Sequence, residues 1–286
     1  MKHHFKSANI HLTGLCNYSC VFCHSGKGCS SGRDIAAEKW RPIIEDLICQ
    51  REITKINFVG GEPLLYPELK TCIRVAKDCG ATTSIVSNGS LITDKFLHET
   101  SGYLDWIGLS IDSTQETNEL LLGRHCKGIN HLHNVQKVAT VARACGFKTK
   151  VNVTVTKYCL NECFEEFIRD MNPNRVKFFQ VSPVTSVNDV GYESLKVTEE
   201  EFELFRSRNS NIEFDNGIHP VFETDKDQYN SYLMIDSSGN IRFNSDSGYK
   251  YVKYEQFWDE GIDRYLDINK YVKRGGIYSW NDNTKP

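Results

Sequence analysis

Six short apolar runs, at residues 8–13, 54–59, 82–87, 105–111, 147–155 and 175–181, alternate with helical patterns near 35–50, 66–79, 93–101, 129–145, 161–171 and 198–209. Strand-length runs separated by amphipathic stretches are the pattern of repeated βα units, in which helices cover a parallel sheet. The expected fold class is therefore α/β. Right-handed crossovers curl six such strands into a partial (β/α)6 barrel of the TIM type, and such barrels place their chemistry at the C-terminal ends of the strands. Residues 1–210 of the 286 suffice for that barrel. The segment 211–286 changes character: it is rich in Asn, Asp, Ser and Tyr and carries a hairpin pattern from Tyr232 to Phe243, turning at Ser238-Gly239-Asn240. It is expected to cover the barrel mouth and complete the ligand site.

The loop after the first run holds Cys16, Cys20 and Cys23 in the spacing C-x3-C-x2-C. Three thiolates so placed can wrap one cubane iron–sulfur cluster and leave its fourth iron without a protein ligand. An open metal position is where a substrate or cofactor binds. Zinc is the competing reading, but it wants a fourth ligand, and His24 follows Cys23 too closely to join the same tetrahedron without strain. The total of eleven cysteines is odd and irregularly spaced, which fits poorly with a disulfide framework. Cys72 and Cys79, two helical turns apart, read as the buried side of a helix. Cys159 and Cys163 are the pair a second cluster would need, but no dense cysteine group accompanies them.

A net charge of −3 gives no general case for nucleic acid, and 40% apolar with 25% charged residues is ordinary for a globular protein. No apolar run approaches a membrane span, and the first six residues are too short for a signal peptide. The expectation is a cytoplasmic monomer with no membrane or nucleic-acid partner, in a compartment reducing enough for iron–sulfur assembly.

Other strand ends extend the same face. Gly60-Gly61-Glu62 closes the second run; the glycines permit close backbone approach to a ligand, and the carboxylate suits a cationic group. Ser87-Asn88 and Ser110 end the third and fourth runs with small polar side chains. In the fifth, Lys150, Asn152 and Thr154 alternate with Val151, Val153 and Val155. The valines suit packing against helices, so the polar face points into the barrel. Arg175 and Lys177 repeat the pattern on the sixth run, and Lys27 follows the last motif cysteine. Unpaired ammonium groups inside a barrel are expensive. Several inward cations match a triphosphate better than a single carboxylate, so a nucleoside triphosphate is the expected substrate class.

With Phe22 before its last cysteine and Gly60-Gly61-Glu62 about forty residues on, the triplet resembles the radical S-adenosylmethionine (SAM) superfamily. That resemblance implies a [4Fe-4S] cluster and SAM as cofactors, with Phe22, Gly60, Gly61, Glu62, Ser87, Asn88, Ser110 and Arg124 around SAM. Within the superfamily the chain is similar to the viperin family, from Cys16–Cys23 and Lys55–Pro63 through Ser84–Leu91, Gly123-Arg124 and Asn172–Gln180 to Tyr232–Asp236 and Lys273–Gly276 with Tyr278 and Trp280. The family implies conversion of CTP, or alternatively UTP or GTP, to its 3′-deoxy-3′,4′-didehydro analogue, a chain-terminating antiviral nucleotide. A 5′-deoxyadenosyl radical removes the ribose 4′ hydrogen, the 3′ hydroxyl leaves, and a one-electron donor such as flavodoxin or ferredoxin serves the reaction. By the same resemblance Lys27, Lys150, Asn152, Arg175, Lys177 and Arg274 grip the triphosphate, Arg124 lies between SAM and the phosphates, and Tyr232 is the proton donor near the sugar. Asn244 belongs to a hairpin end that differs from the animal pattern, which leaves the base open. The membrane-docking N-terminal helix and C-terminal tryptophan of animal members are not matched. The rival readings are an iron–sulfur electron-transfer or binding module, which would need neither the glycine loop nor inward cations, and another radical SAM nucleotide-modifying enzyme.

Overall fold

The computed structural model describes residues 5–25, 32–212, 219–278 and 280. Six strands follow the expected rhythm, β1 (Ser7–His11), β2 (Lys55–Val59), β3 (Thr82–Ser87), β4 (Trp106–Ile111), β5 (Lys148–Val155) and β6 (Arg175–Gln180), and a short β7 (Val221–Glu223) comes after them. The principal crossover helices are α1 (Ala37–Cys49), α2 (Leu69–Asp78), α3 (Asp94–Thr100), α4 (His131–Ala144), α5 (Glu165–Met171) and α6 (Glu199–Asn209). Three further strands come late in the chain: β8 (Leu233–Ile235), β9 (Ile241–Ser245) and β10 (Gly248–Val252).

All ten form one open sheet in the order β10-β9-β8-β1-β2-β3-β4-β5-β6-β7. Pairing is parallel from β8 to β7 and antiparallel between β8, β9 and β10. The segment after 210 contributes four strands to the same sheet, and its Tyr232, Asn244 and Arg274 line the barrel interior. β7 pairs with β6 and β8 pairs with β1, so both edges of the six-strand barrel gain partners for backbone groups they would otherwise leave unpaired. The expected hairpin is present between β8 and β9. Its turn is closed by the Asp236 carboxylate, which accepts from the amides of Ser238 at 3.1 Å and Asn240 at 2.8 Å, with Gly239 at φ +83°. β7, at three residues, is too short to show a period.

The inward and outward faces follow the alternation. On β5 the valines are fully enclosed beneath the helices while Lys150, Asn152 and Thr154 face the barrel interior. Phe178 of β6 and Phe222 of β7 stack at 5.0 Å between centroids and meet Phe164 and Phe205 of the covering layer. The tail lies at the end of the barrel opposite the cysteine loop. Tyr278 meets Trp106, the first residue of β4, edge-on at 6.1 Å, and the Trp106 indole donates to the Trp280 carbonyl at 3.1 Å. The cysteines follow the C-terminal end of β1, so the interior is bounded by thiols above and this aromatic floor below.

Candidate active site

The cysteine loop is held by backbone on several sides. The amides of Gly61 and Glu62 donate to the carbonyls of Thr13 and Leu15, each at 2.8 Å, and the amides of Ser19 and Val21 donate to Gly123 and Leu122 at 3.1 and 3.0 Å. A Cβ at Gly61 would overlap the Leu15 carbonyl oxygen; one at Gly123, where φ is +76°, would overlap that of Ser19. Sequence reasoning assigns the first glycines to ligand approach, but what approaches closest is the loop itself. Asn188 completes the clamp by donating to the Phe22 carbonyl at 3.0 Å, and Gly191 packs against Val21. Neither carries a sequence signal, because their segment has no strong period.

Cys16, Cys20 and Cys23 line one end of a cavity of about 650 Å³. The amides of Tyr18 and Ser25 point at the sulfurs of Cys16 and Cys23, both at 3.4 Å, a polarity suited to thiolate. Burial raises all three thiols, Cys20 to about 12, so these groups become thiolates when a cationic group binds them. Among the described residues no three His, Cys, Asp or Glu side chains converge closely enough to hold a single metal ion. A cubane takes its thiolates at separate corners, and three thiols around one cavity end fit it. The pKa of His24 is lowered to about 4 by desolvation and by Arg242, which leaves it neutral. Cys159 is enclosed and its sulfur contacts the Thr156 carbonyl at 3.5 Å, whereas Cys163 is exposed; neither joins the cavity. Cys72 is buried as expected, while Cys79 is only half-buried just past α2.

The next level of the cavity carries Ser87, Asn88, Ser110 and Arg124. Glu62 stands behind this wall, fully enclosed, accepting from the Leu64 amide at 3.2 Å and from the Ser87 hydroxyl and Asn88 amide at 2.9 Å each. It thus ties the ends of β2 and β3 together. Arg124 is paired with Asp112, lies 3.6 Å from Glu119 and holds its guanidinium 5.6 Å from the centre of the Phe22 ring. His131 supports the same group, with Nε2 3.0 Å from the Ser110 carbonyl; burial and Arg124 lower its pKa to about 3. Burial and Asp112 push Glu119 up to about 8. This acidic and histidine surround of Arg124 is not visible in the sequence, because its members lie on separate elements.

Lys55, Lys150, Lys177 and Arg274 line the far end. Burial lowers Lys177 to about 8 and pushes Lys55 and Lys150 well down, with neighbouring cations adding to the effect on all three and Glu223 opposing it at Lys177. Lys55 donates to the Tyr278 hydroxyl at 2.6 Å and lies 4.5 Å from the centre of the Trp106 ring. Sequence reasoning missed it, although Lys55 and Asn57 share a face as Arg175 and Lys177 do. Asn152 presents a buried Oδ1 with no hydrogen-bond partner. Arg175 does not reach the cavity surface: its guanidinium lies 3.5 Å from the Tyr278 ring centre and donates to the Gly275 carbonyl at 2.8 Å, anchoring the tail. Asn244 lines the cavity but its side chain accepts from the Asn230 amide at 3.3 Å. Lys27 lies outside the described residues.

Tyr232 lines the cavity, and its hydroxyl donates to Glu223, which also pairs with Lys177. Arg274 covers the Tyr232 ring face at 3.5 Å and donates to the Ser231 carbonyl at 2.7 Å. Burial raises the Tyr232 phenol well above its ordinary value, so it keeps its proton. Glu223 escaped the sequence reading because β7 is so short. Lys150 and Thr154 are four residues apart on β5, about 13 Å at the usual rise. A ligand reaching from the cations to the thiols is therefore elongated, with an anionic end.

Residues 10–171 match the radical SAM superfamily. A protein of a Thermoplasmatales archaeon (strain ISO4-H5) named S-adenosylmethionine-dependent nucleotide dehydratase is 39% identical over 280 residues, covering 96% of each chain. One of the same name from Flammeovirga pacifica is 34% identical, again with 96% of each chain covered. The structure of native anSMEcpe with bound AdoMet shares the fold at a TM-score of 0.68 and 12% identity, over 93% of this chain and 84% of that one.

The glycine clamp is open to test. Gly61→Ala is expected to lower iron and sulfide after anaerobic reconstitution to well under the about four irons of a full cubane, with cooperative thermal unfolding retained. Gly14→Ala, where an added Cβ meets nothing within 4 Å, should load normally.

Proposed function

The chain belongs to the radical SAM superfamily and, within it, to the S-adenosylmethionine-dependent nucleotide dehydratases, and from that premise we propose that it converts CTP, with UTP or GTP as alternatives, to the 3′-deoxy-3′,4′-didehydro triphosphate. One observation carries the proposal: a single cavity has three thiols at one end and four cations at the other. Cys16, Cys20 and Cys23 would hold the [4Fe-4S] cluster, and Ser87, Asn88, Ser110 and Arg124 would border SAM. When bound, these groups supply one-electron, hydrogen-abstracting chemistry.

The chain's own residues then do the positioning. Lys150, Lys177 and Arg274 receive the triphosphate, whose charge offsets the cost of enclosing them. Lys55 stands at the floor, and Asn152 offers its free acceptor to a nucleotide hydroxyl. Anchoring the phosphates fixes the ribose between the two ends, which is the positioning a selective hydrogen abstraction needs. Tyr232, a neutral phenol at the wall, holds the proton that the departing 3′ hydroxyl requires. The enclosing strands keep bulk water from reactive species. Residues 211–286 specialise the barrel by contributing Tyr232, Asn244 and Arg274. A flavodoxin- or ferredoxin-type donor supplies electrons. Among the described residues no helix is long and apolar enough to cross a membrane; we place the enzyme in the cytoplasm as a monomer. Its product lacks a 3′ hydroxyl and would stop a viral polymerase.

Reconstituted protein incubated anaerobically with dithionite, SAM and each triphosphate tests the reading. The accepted triphosphate should raise 5′-deoxyadenosine yield severalfold and give a product lighter by one water. A yield indifferent to every triphosphate would refute it. Binding should also depend on pH in a defined direction. Lys177 titrates near 8 in the free protein, and a bound triphosphate raises that value, so binding takes up protons. Affinity is therefore fullest below pH 8 and should fall at higher pH, by up to about tenfold per unit for one linked proton, as calorimetry across pH 7–9 would show.

A further inference from the structure

Glu223 is a carboxylate placed within an anion receptor. It is the last residue of β7 and fully enclosed. One oxygen takes the Lys177 ammonium and lies 3.7 Å from Nη1 of Arg274; the other accepts the Tyr232 hydroxyl. Lys150 of β5 and Arg175 of β6 also sense its charge. Burial alone would raise its pKa, and Lys177 and Arg274 reverse that in the free protein. The carboxylate is thus ionised because of the same cations that a triphosphate would claim.

We propose that Glu223 is a positioning residue that acts through Tyr232, gaining a proton when the triphosphate takes over Lys177 and Arg274 and passing it on during dehydration. The inference rests on the nucleotide reading above. In the free protein the Tyr232 hydroxyl points at Glu223 and so cannot also point at a sugar. Once the phosphates occupy the cations, Glu223 is a buried carboxylate beside several negative charges, and protonation relieves both the repulsion and the lost pairing. A protonated Glu223 donates to the Tyr232 oxygen, which turns the phenolic proton toward the substrate.

The balance closes. The 4′ hydrogen atom leaves in the cofactor chemistry. As the C3′–O bond breaks, Tyr232 gives its proton to the departing oxygen and Glu223 gives its proton to Tyr232. One electron from the external one-electron donor completes the 3′,4′ double bond, and water departs. Glu223 ends as the carboxylate, ready to pair again with Lys177 when the product leaves.

Holoenzyme carrying Glu223→Gln provides the test, with Glu223→Asp alongside because it keeps the charge and should fold even if the amide does not. In E223Q the triphosphate should bind as tightly as in the unaltered protein or severalfold tighter, since a competing negative charge is gone. Binding at pH 7 should take up about one proton fewer. Turnover should fall at least tenfold, with 5′-deoxyadenosine now formed without dehydrated product. The decline of kcat with rising pH should vanish in E223Q and move to lower pH in E223D. Equal losses of affinity and kcat in E223Q, an unchanged proton count, or an E223D profile coincident with that of the unaltered enzyme would each overturn the proposal. Failure of the unaltered protein to bind any triphosphate would instead refute the substrate reading, and this inference with it.

Discussion

Positive charge enclosed in the barrel is the constraint around which the lower half of the molecule is arranged. Lys55, Lys150, Lys177, Arg175 and Arg274 stand within one region, with Glu223 as the carboxylate among them. Taking an ammonium out of water costs several kcal/mol unless something compensates. The protein compensates in part: Lys55 lies over Trp106 and against Tyr278, Arg175 stacks on Tyr278, Arg274 stacks on Tyr232, and Glu223 pairs with Lys177. Burial still lowers the pKa values of Lys55, Lys150 and Lys177, so the compensation is incomplete. A polyanionic ligand would supply the difference, so a tight site for it and a tolerable interior become the same requirement.

The upper half answers a different demand, that of holding three thiols in a loop without regular structure. Backbone bonds from Gly61, Glu62, Leu122 and Gly123 do this, and each of the two glycines is needed because a side chain would displace the loop. Glu62 and Asp112 then lock neighbouring strand ends to one another, the first through the Asn88 amide and the second through the Thr154 amide at 2.7 Å. Both ends of the cavity are fixed to the same strands. The separation between thiols and cations is thereby set by the sheet, which gives the site its reach along one axis.

Much of this is legible in the sequence where a period is long enough to be read. The six barrel strands follow from the βα rhythm, Lys150 and Asn152 from the polar face of β5, and Lys177 from the same pattern on β6. What escapes is of two kinds. β7, a strand of three residues, carries no period, so Glu223 is hidden; the hairpin of β8 and β9 is readable, but the pairing of β8 with β1 is not. Interactions between distant elements are hidden as well: the face on which Arg175 lies is readable, but its burial under Tyr278 depends on where a tail a hundred residues later comes to rest. Glycines show the same limit, since a motif reveals that a small residue is present and only the fold reveals which backbone it admits.

The central claim is that the barrel aims hydrogen-abstracting chemistry at the ribose of a triphosphate anchored by its floor. The most direct measurement uses the accepted triphosphate with deuterium at the ribose 4′ carbon, analysing the 5′-deoxyadenosine of a single turnover by mass spectrometry. The account predicts one deuterium in that 5′-deoxyadenosine for each dehydrated nucleotide formed. Dehydrated product accompanied by unlabelled 5′-deoxyadenosine would contradict it.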